Sequence, residues 1–526
     1  MKKTLLMGLS MMMLLSSVGC GGKNISTQQA SSEQAGGQVE VDYWVEMNPV
    51  VVPVAQSLNE VEYFKELERR TGVKVNFLHP PVGQGGEQFK LLIASRNDLP
   101  ELIETSWLSA YPGGPEKAIK DGIIIPLNEY IDSSAPNYKA ILESDEDLMK
   151  QAKTDSGTIY GFHAINLGEN RGFGGLILRK DWLDDLGLDL PVTLADWENV
   201  LTQFKEKKGA TYPLSLASSQ LRSGNLFNTA FKIGDSFYLD EEGKVQYGPL
   251  QPEYKEYLAF LNKWYRDGLL DPDFASLDSK SIESNILNGK SGATFGYVGG
   301  SIGKWMKAAT DPNFKLIGTH NPVMNEGEEP MFLGEFSHKI RGGSVAITTA
   351  AKNPEVLVEW LDYRYTDEGS TLKNYGIEGL TYEMVDGVET YTDLIMDNPD
   401  GLAIGNALAK YTQANYPGPG LCELPNYTRQ YYQLEEQRQS AENYNKYADN
   451  AAKYVMPPIV ATPEESKEQA TILSEVNTYI EEKFVGFVTG VEPLENFDAF
   501  VEAIKGLGIE RVLEIKQAGV DRYNAR

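Results

Sequence analysis

The chain has 526 residues, with 48 basic and 75 acidic side chains giving a formal charge of −27, 41% hydrophobic residues and 10% aromatics. That length supplies two or more domains with large cores, and this apolar and aromatic content excludes an intrinsically disordered chain. The acidic balance excludes nucleic acid and an anionic membrane surface as partners and disfavours a strongly anionic ligand, although screening over ~8 Å lets a local cleft differ from the whole.

The chain begins with Lys2 and Lys3, an apolar run over residues 4–15, and small residues ending at Cys20. Such a run is too short to cross a ~30 Å hydrocarbon core as a helix and reads as the apolar region of an export signal. Ser17-Val18-Gly19-Cys20 resembles a bacterial lipobox, with Ser17 where the motif usually has Leu. The resemblance implies cleavage before Cys20 and a diacylglyceryl group on its sulfur; ordinary secretion with an incidental cysteine is the alternative. Two or more acyl chains, at ~0.8 kcal/mol per buried CH₂, hold a protein at a membrane stably. Residues 1–19 are therefore expected to be a lipoprotein signal peptide, and residues 20–38, rich in Gly, Ser, Gln, Ala and Thr, a flexible tether. This places the protein on the extracellular face of the cytoplasmic membrane, touching it through lipid alone. With Cys20 acylated, Cys422 has no partner and no intrachain disulfide forms.

Val39, Val41, Tyr43 and Val45 alternate, the period-2 signal of a strand. Residues 58–71 carry Val61, Phe64 and Leu67 at three-residue steps and stop at Gly72, which predicts a helix; Val73, Val75 and Phe77 then alternate again. Strand, helix and strand in this order make a βαβ unit with a parallel sheet. A helix over 89–95 and a strand over 102–105 follow. Ligands of open α/β sheets sit beyond the carboxyl ends of strands, which singles out Trp44 and Glu46 on the first strand and Trp107 at the next edge, with core capping as the alternative for each tryptophan. Residues 166–175 hold four glycines and read as a crossover between two α/β blocks, flanked by His163 and Arg171. His163, between Phe162 and Ala164, is more simply a satisfied core histidine, and Arg171 a surface partner of Glu169 or Asp181.

A strand over 176–178 and a helix over 179–186, ended by Gly187, come next. Thr193 caps a helix to about Lys207 with Trp197, Val200, Leu201 and Phe204 on one stripe. A hairpin over 237–247 and a helix over 254–267 follow. In the last third, Thr462-Pro463-Glu464-Glu465 is a capping box with proline at the first helical position. Ile472, Val476, Ile480 and Phe484 form its stripe, Gly486 and Gly490 mark its exit, and two helices lead from Phe497 to Tyr523.

Residues 179–188, followed by Pro191, Thr193 and Trp197, resemble extracellular solute-binding proteins of ABC importers (family 1 type), specifically the large lipoproteins for oligosaccharides and polysaccharides, alginate binders among them. Gly243-Lys244-Val245, Tyr254 to Leu258, Gly268 to Pro272, Tyr375 to Gly379 with Tyr382, Thr462 to Glu465, and the tail from Phe497 to Tyr523 are similar to the same branch, in order from about residue 39 to the C-terminus. The resemblance implies an α/β, two-lobed, periplasmic-binding-protein-like (type II) fold with a helical C-terminal region packed on the second lobe. In that fold residues 39–165 with 345–374 are the N-terminal lobe, 176–335 with 383–526 the C-terminal lobe, and 166–175, 336–344 and 375–382 the hinge crossings. It implies capture of an oligosaccharide between the lobes and delivery to permease subunits, with no cofactor and no catalysis. Many relatives carry an acidic calcium loop after the helix that starts near Thr193; here residues 204–212 hold one acid among three lysines. Calcium takes 6–8 oxygen ligands, commonly carboxylates, so no metal is expected there. Asp240, Glu241 and Glu242 read as a solvated turn.

A sugar offers apolar CH faces and a rim of hydroxyls, matched by flat aromatics and fixed polar groups. Beyond the residues already named, Tyr297 and Trp305 bracket the stretch Gly296 to Ser301, Glu335, Phe336 and Arg341 approach the second crossing, and Tyr375, Glu378 and Tyr382 the third. Gly299-Gly300 is no nucleotide loop, since no Lys-Ser/Thr follows it. A secreted carbohydrate-active enzyme is the rival class; a glycosidase needs two positioned carboxylates, and among 75 acids some pair always exists. Against it stand four histidines without metal spacing and the lack of a Gly-x-Ser-x-Gly elbow. A sugar-sensing component feeding a membrane kinase is the third class and would use the same lobes. Nothing in the sequence predicts self-association, so a monomer is expected.

Overall fold

The alternating segments of the sequence become strands. In the computed structural model, which describes residues 39–96 and 98–526, they are, in chain order, β1 (Val39–Trp44), β2 (Val73–Leu78), β3 (Leu102–Thr105), β4 (Phe162–Ile165), β5 (Gly174–Arg179), β6 (Phe237–Leu239) and β7 (Val245–Tyr247). The later ones are β8 (Ala293–Tyr297), β9 (Leu316–Thr319), β10 (Ile340–Ile347), β11 (Tyr382–Val385), β12 (Val388–Tyr391) and β13 (Gly420–Leu421). The expected signal peptide, Cys20 and the tether lie outside the described residues.

One sheet has the order β13-β4-β10-β3-β1-β2, a second the order β8-β5-β9, and β6–β7 and β11–β12 are hairpins. In the large sheet β1, β2 and β3 are parallel, β10 runs antiparallel between β3 and β4, and β13 lies parallel to β4. Successive side chains of a strand point to opposite faces. Tyr43, Leu102 and Val345 accordingly enter one apolar cluster with Phe162 and Trp360, while their neighbours Trp44, Ile103 and Ala346 enter another with Phe89 and Trp107. Both faces are covered, as a largely parallel sheet requires. The small sheet divides in the same way: Leu176, Leu178 and Ile317 join Trp197, Phe204 and Trp264, while Ile177 and Leu316 join Ile302 and Trp305.

Local signals set the helix ends. The helix Glu62–Thr71 stops because Gly72 turns to φ 71°, a left-handed conformation that costs glycine no steric clash. Thr193 with Asp196, and Thr462 with Glu465, close both hydrogen bonds of a capping box. The helix Pro463–Thr489 runs through Gly486, expected at its exit, and ends at Gly490; Gly486 instead leaves room for the Glu492 side chain, 3.0 Å from where a Cβ would stand. Val476, Ile480, Phe484 and Phe500 of the last helices enter the cluster of Trp197 and Trp264, so these helices pack on the small sheet.

The chain passes between the two sheets at residues 166–173, at 320–339 and again after β13, where residues 422–434 lead to the helix Glu435–Asn445 packed on β9. The third passage was expected at 375–382. There the helix Asp367–Tyr375 ends at Gly376 (φ 84°), and the Thr381 hydroxyl donates to Tyr375 O and accepts from the Ile377 amide, folding the segment into a turn before the β11–β12 hairpin. Residues expected in the second lobe from 383 onward thus include β13, a strand of the large sheet. In the second passage, residues 340–344 already belong to β10, with a register shift between Arg341 and Ser344.

The last helix, Ile509–Asn524, ends against the segment before β4. Arg522 Nε donates to Asp155 (2.8 Å), Arg526 Nη2 to the same carboxylate (2.6 Å), Arg526 Nη1 to the carbonyls of Lys150 and Lys153, and the Tyr523 hydroxyl to Asp147 (3.0 Å). The Arg526 side chain is 0% exposed. Removing one partner of a buried ion pair leaves the other charge uncompensated. Asp155→Ala is therefore expected to lower unfolding free energy by about 3 kcal/mol in urea titrations. Lys150→Ala, which keeps the carbonyl, is expected to stay within about 0.5 kcal/mol of the parent.

Candidate ligand-binding cleft

β1, β3 and β4 share one direction, and β10 opposes them, so Trp44, Thr105, Ile165 and the start of β10 share one edge of the large sheet. Two cavities open there. The first, about 410 Å³, is lined by Trp44, Glu46, Glu104, Ser106, Gly343 and Gln413 among others. The second, about 300 Å³, is lined by Phe173, Tyr297, Arg341, Glu423, Tyr427 and Tyr431 among others. Tyr416 and Pro417 line both and mark where they meet.

Glu46 Oε1 accepts from the Gly83 amide (2.6 Å), and a Cβ on Gly85 would stand 2.0 Å from its other oxygen, so glycine there lets the carboxylate cover the start of the helix Gly85–Ser95. Trp44 is 8% exposed and leans on Phe89, ring centroids 6.0 Å apart. Glu104 accepts from the Tyr43 hydroxyl (2.5 Å), and its burial raises its pKa.

Across the junction, Tyr297 at the end of β8 is 46% exposed. Its ring lies over Gly174, where a Cβ would be 2.9 Å away, and Glu335 Oε2 is 3.2 Å from the same point. That oxygen is buried without a hydrogen-bond partner, and burial raises the Glu335 pKa. Tyr427 and Tyr431 stack at 5.6 Å, with the Tyr431 hydroxyl 2.7 Å from where a Gly299 Cβ would be. Arg341 donates through Nη1 to Glu423 (3.3 Å) and through Nη2 to Asn170 O (3.2 Å), and its guanidinium lies 4.2 Å over the Phe173 ring. The second oxygen of Glu423 accepts from Asn166 Nδ2 (2.8 Å).

Of the residues singled out by sequence, Trp44, Glu46, Tyr297 and Arg341 line these cavities, with Glu335 beside Tyr297. The others fall elsewhere. Trp107 is 1% exposed, donates through Nε1 to Ile103 O (3.3 Å) and meets Phe89 edge-on. His163 is buried with Nδ1 against the Tyr138 hydroxyl, and burial lowers its pKa to about 3; it is a core histidine. Arg171 lines neither cavity: its backbone amide donates to Asn445 Oδ1 (2.6 Å), and Asp181 pairs with Arg179 instead. Trp305 is packed among Ile177, Ile302 and Phe314. Tyr375 and Tyr382 are buried together against Tyr391, and Glu378 lies exposed in the turn after Gly376.

Sequence reasoning missed Gln413, Tyr416, Pro417, Glu423, Tyr427 and Tyr431. The signal was present: Tyr411, Tyr416, Tyr427, Tyr431 and Tyr432 surround Pro417-Gly418-Pro419-Gly420, an aromatic-rich stretch without helical or strand period. No three His, Cys, Asp or Glu among the described residues are placed to hold a metal ion. Of the lysines in residues 204–212, Lys208 pairs with Asp185 (2.6 Å) and Lys205 donates to Asp267 O (2.6 Å). Asp240 accepts from the amides of Glu242 and Lys244 and closes its own turn.

Aromatic faces and carboxylates gathered where two α/β sheets join describe a binding protein for a small polar molecule. Residues 56–371 match the bacterial extracellular solute-binding protein family, and the chain belongs to it. It is 28% identical over 380 residues to lipoprotein LipO of Bacillus subtilis, covering 70% of this chain and 72% of that one. It is 25% identical over 498 residues, 89% and 88% of the two chains, to the fructooligosaccharide ABC transporter substrate-binding protein FusA of Streptococcus pneumoniae. The fold matches that of FusA solved in complex with kestose (TM-score 0.69, 22% identity, 92% of this chain and 99% of that one). It also matches alginate-binding protein AlgQ2 solved without calcium ion (TM-score 0.70, 23% identity, 92% and 98%).

His163 has a testable consequence. Its folded pKa lies below the unfolded value of ~6.5, so the stability tied to its neutral form is complete above pH 6.5 and is lost as pH falls toward 3. Between pH 7 and pH 5 this group is expected to remove about 2 kcal/mol of unfolding free energy. Urea titrations at both pH values should show that loss in the parent and a loss smaller by this amount in His163→Gln.

Proposed function

We propose that the protein is the substrate-binding component of an ABC importer, which captures an oligosaccharide at the junction of two lobes and delivers it to a membrane permease. One lobe is built on the large sheet, residues 39–165 and 340–421, and the other on the small sheet and the C-terminal helices, residues 174–319 and 435–526. The observation that carries this reading is Tyr297, a half-exposed ring beside the unpartnered Glu335 oxygen, facing a cavity that the large sheet also lines. A ring and a carboxylate side by side match the CH face and hydroxyl rim of a sugar. The relatives named as ABC transporter substrate-binding proteins support the transport role. A ligand touching both lobes binds the closed form better and shifts the population toward it. The protein acts as a monomer, tethered through acylated Cys20.

Titration calorimetry over an oligosaccharide panel is expected to find a binder, and small-angle scattering a smaller radius of gyration at saturation. Hydrolysed product, or an unchanged radius with a saturating ligand, would overturn the proposal. Tyr297→Ala is expected to weaken binding about tenfold, or about 1.4 kcal/mol, with little change in melting temperature because the ring is half exposed. Mass spectrometry of the membrane-bound protein is expected to show a diacylglyceryl-modified N-terminal Cys20, and Cys20→Ser to release the chain into the medium.

A further inference from the structure

The overall charge left open whether the cleft itself is acidic, and the lining settles its sign. The first cavity holds Glu46 and Glu104, and no Lys, Arg or His among the described residues that line it. The second holds Arg341 and Glu423, paired with each other. Arg341 Nη1 and Nη2 already donate to Glu423 and to Asn170 O, its face is taken by Phe173, and its Nε is buried without a hydrogen-bond partner. Two further cations sit behind the cavity walls and line neither cavity: Lys373 is buried and donates to the carbonyls of Gly418 and Pro419, and Arg364 is buried over Trp360.

Of the carboxylates near the cleft, Glu335 is less committed than Glu46, Glu104 and Glu423. Glu335 Oε2 is buried with no donor facing it, next to the exposed Tyr297 ring. A buried acceptor without a donor costs free energy until a ligand supplies one. A sugar hydroxyl does so. A ligand carboxylate would instead lose its hydration beside Glu335 and Glu423, and the one cation lining either cavity among the described residues, Arg341, is already paired with Glu423.

We infer that the cleft is specific for an uncharged, hydroxyl-rich oligosaccharide and excludes uronic-acid oligosaccharides, with Glu335 as a residue that sets this discrimination. The inference rests on the proposed function and adds the charge class of the ligand. The negative wall does two things at once: it accepts hydroxyl hydrogens from a neutral sugar and repels an acidic one.

The test is titration calorimetry on the intact soluble chain with length-matched panels, one of neutral fructan, galactan and xylan fragments and one of galacturonate and mannuronate oligomers. At least one neutral series is expected to bind, at least a hundredfold tighter than any uronate. A uronate bound within tenfold of the best neutral sugar overturns the inference and leaves oligosaccharide capture standing. Binding of neither panel overturns both. Glu335→Gln removes the charge, so it is expected to narrow the gap between the panels about tenfold; an unchanged gap removes Glu335 from the discrimination.

Discussion

Arg341 holds the junction of the molecule together. The three passages between the sheets meet at its guanidinium: Asn170 and Phe173 come from the first, Arg341 itself stands where the second enters β10, and Glu423 opens the third. Through Glu423 the network extends to Asn166 at the end of β4. The pair is largely covered, with side-chain exposures of 13% and 24%. Each bond alone contributes modestly, but a partly buried, charge-assisted network fixes the directions of the chains that enter it. The cavity at this junction inherits its walls from that arrangement, since Arg341, Glu423 and Phe173 both tie the passages and line the space between them.

The rigid parts of the binding surface share a device. At Gly85 and Gly174 the absent side chain is replaced by a functional group of a distant residue, the Glu46 carboxylate in one case and the Tyr297 ring in the other. A carboxylate or ring seated on bare backbone has few alternative positions, so little side-chain freedom remains to be lost when a ligand arrives.

Much of the scaffold was legible in the sequence because it follows local rules. Period-2 alternation located β1 and β2, an N-cap and a capping box located the helices at 194 and 463, and the rule that ligands sit beyond strand ends pointed to Trp44 and Glu46, which line a cavity. The site was legible only in part, for a physical reason. Tryptophan, tyrosine and histidine serve a sugar and a core equally well, and Trp107, Trp305, Tyr375 and His163 went to the core, where their large apolar area stabilises most. Glycines at 376 and 379 look like a crossing but serve a turn, since positive φ is needed in both. Gln413, Tyr416 and Tyr431 reach the cleft through β13, a two-residue strand whose pairing with β4 no local pattern announces.

The end of the last helix adds a fourth link between the large-sheet region and the helices on the small sheet, and it differs in kind from the three made of peptide. Asp155 with Arg522 and Arg526 can part and re-form, so this strut yields where a covalent one would not. Mobile ions screen exposed charges over ~8 Å at physiological salt but act weakly on covered ones. Because the Arg526 side chain is covered while Arg522 and Asp155 are partly exposed, the Arg526 half of this strut is set by the protein's own packing and yields less to salt than the Arg522 half.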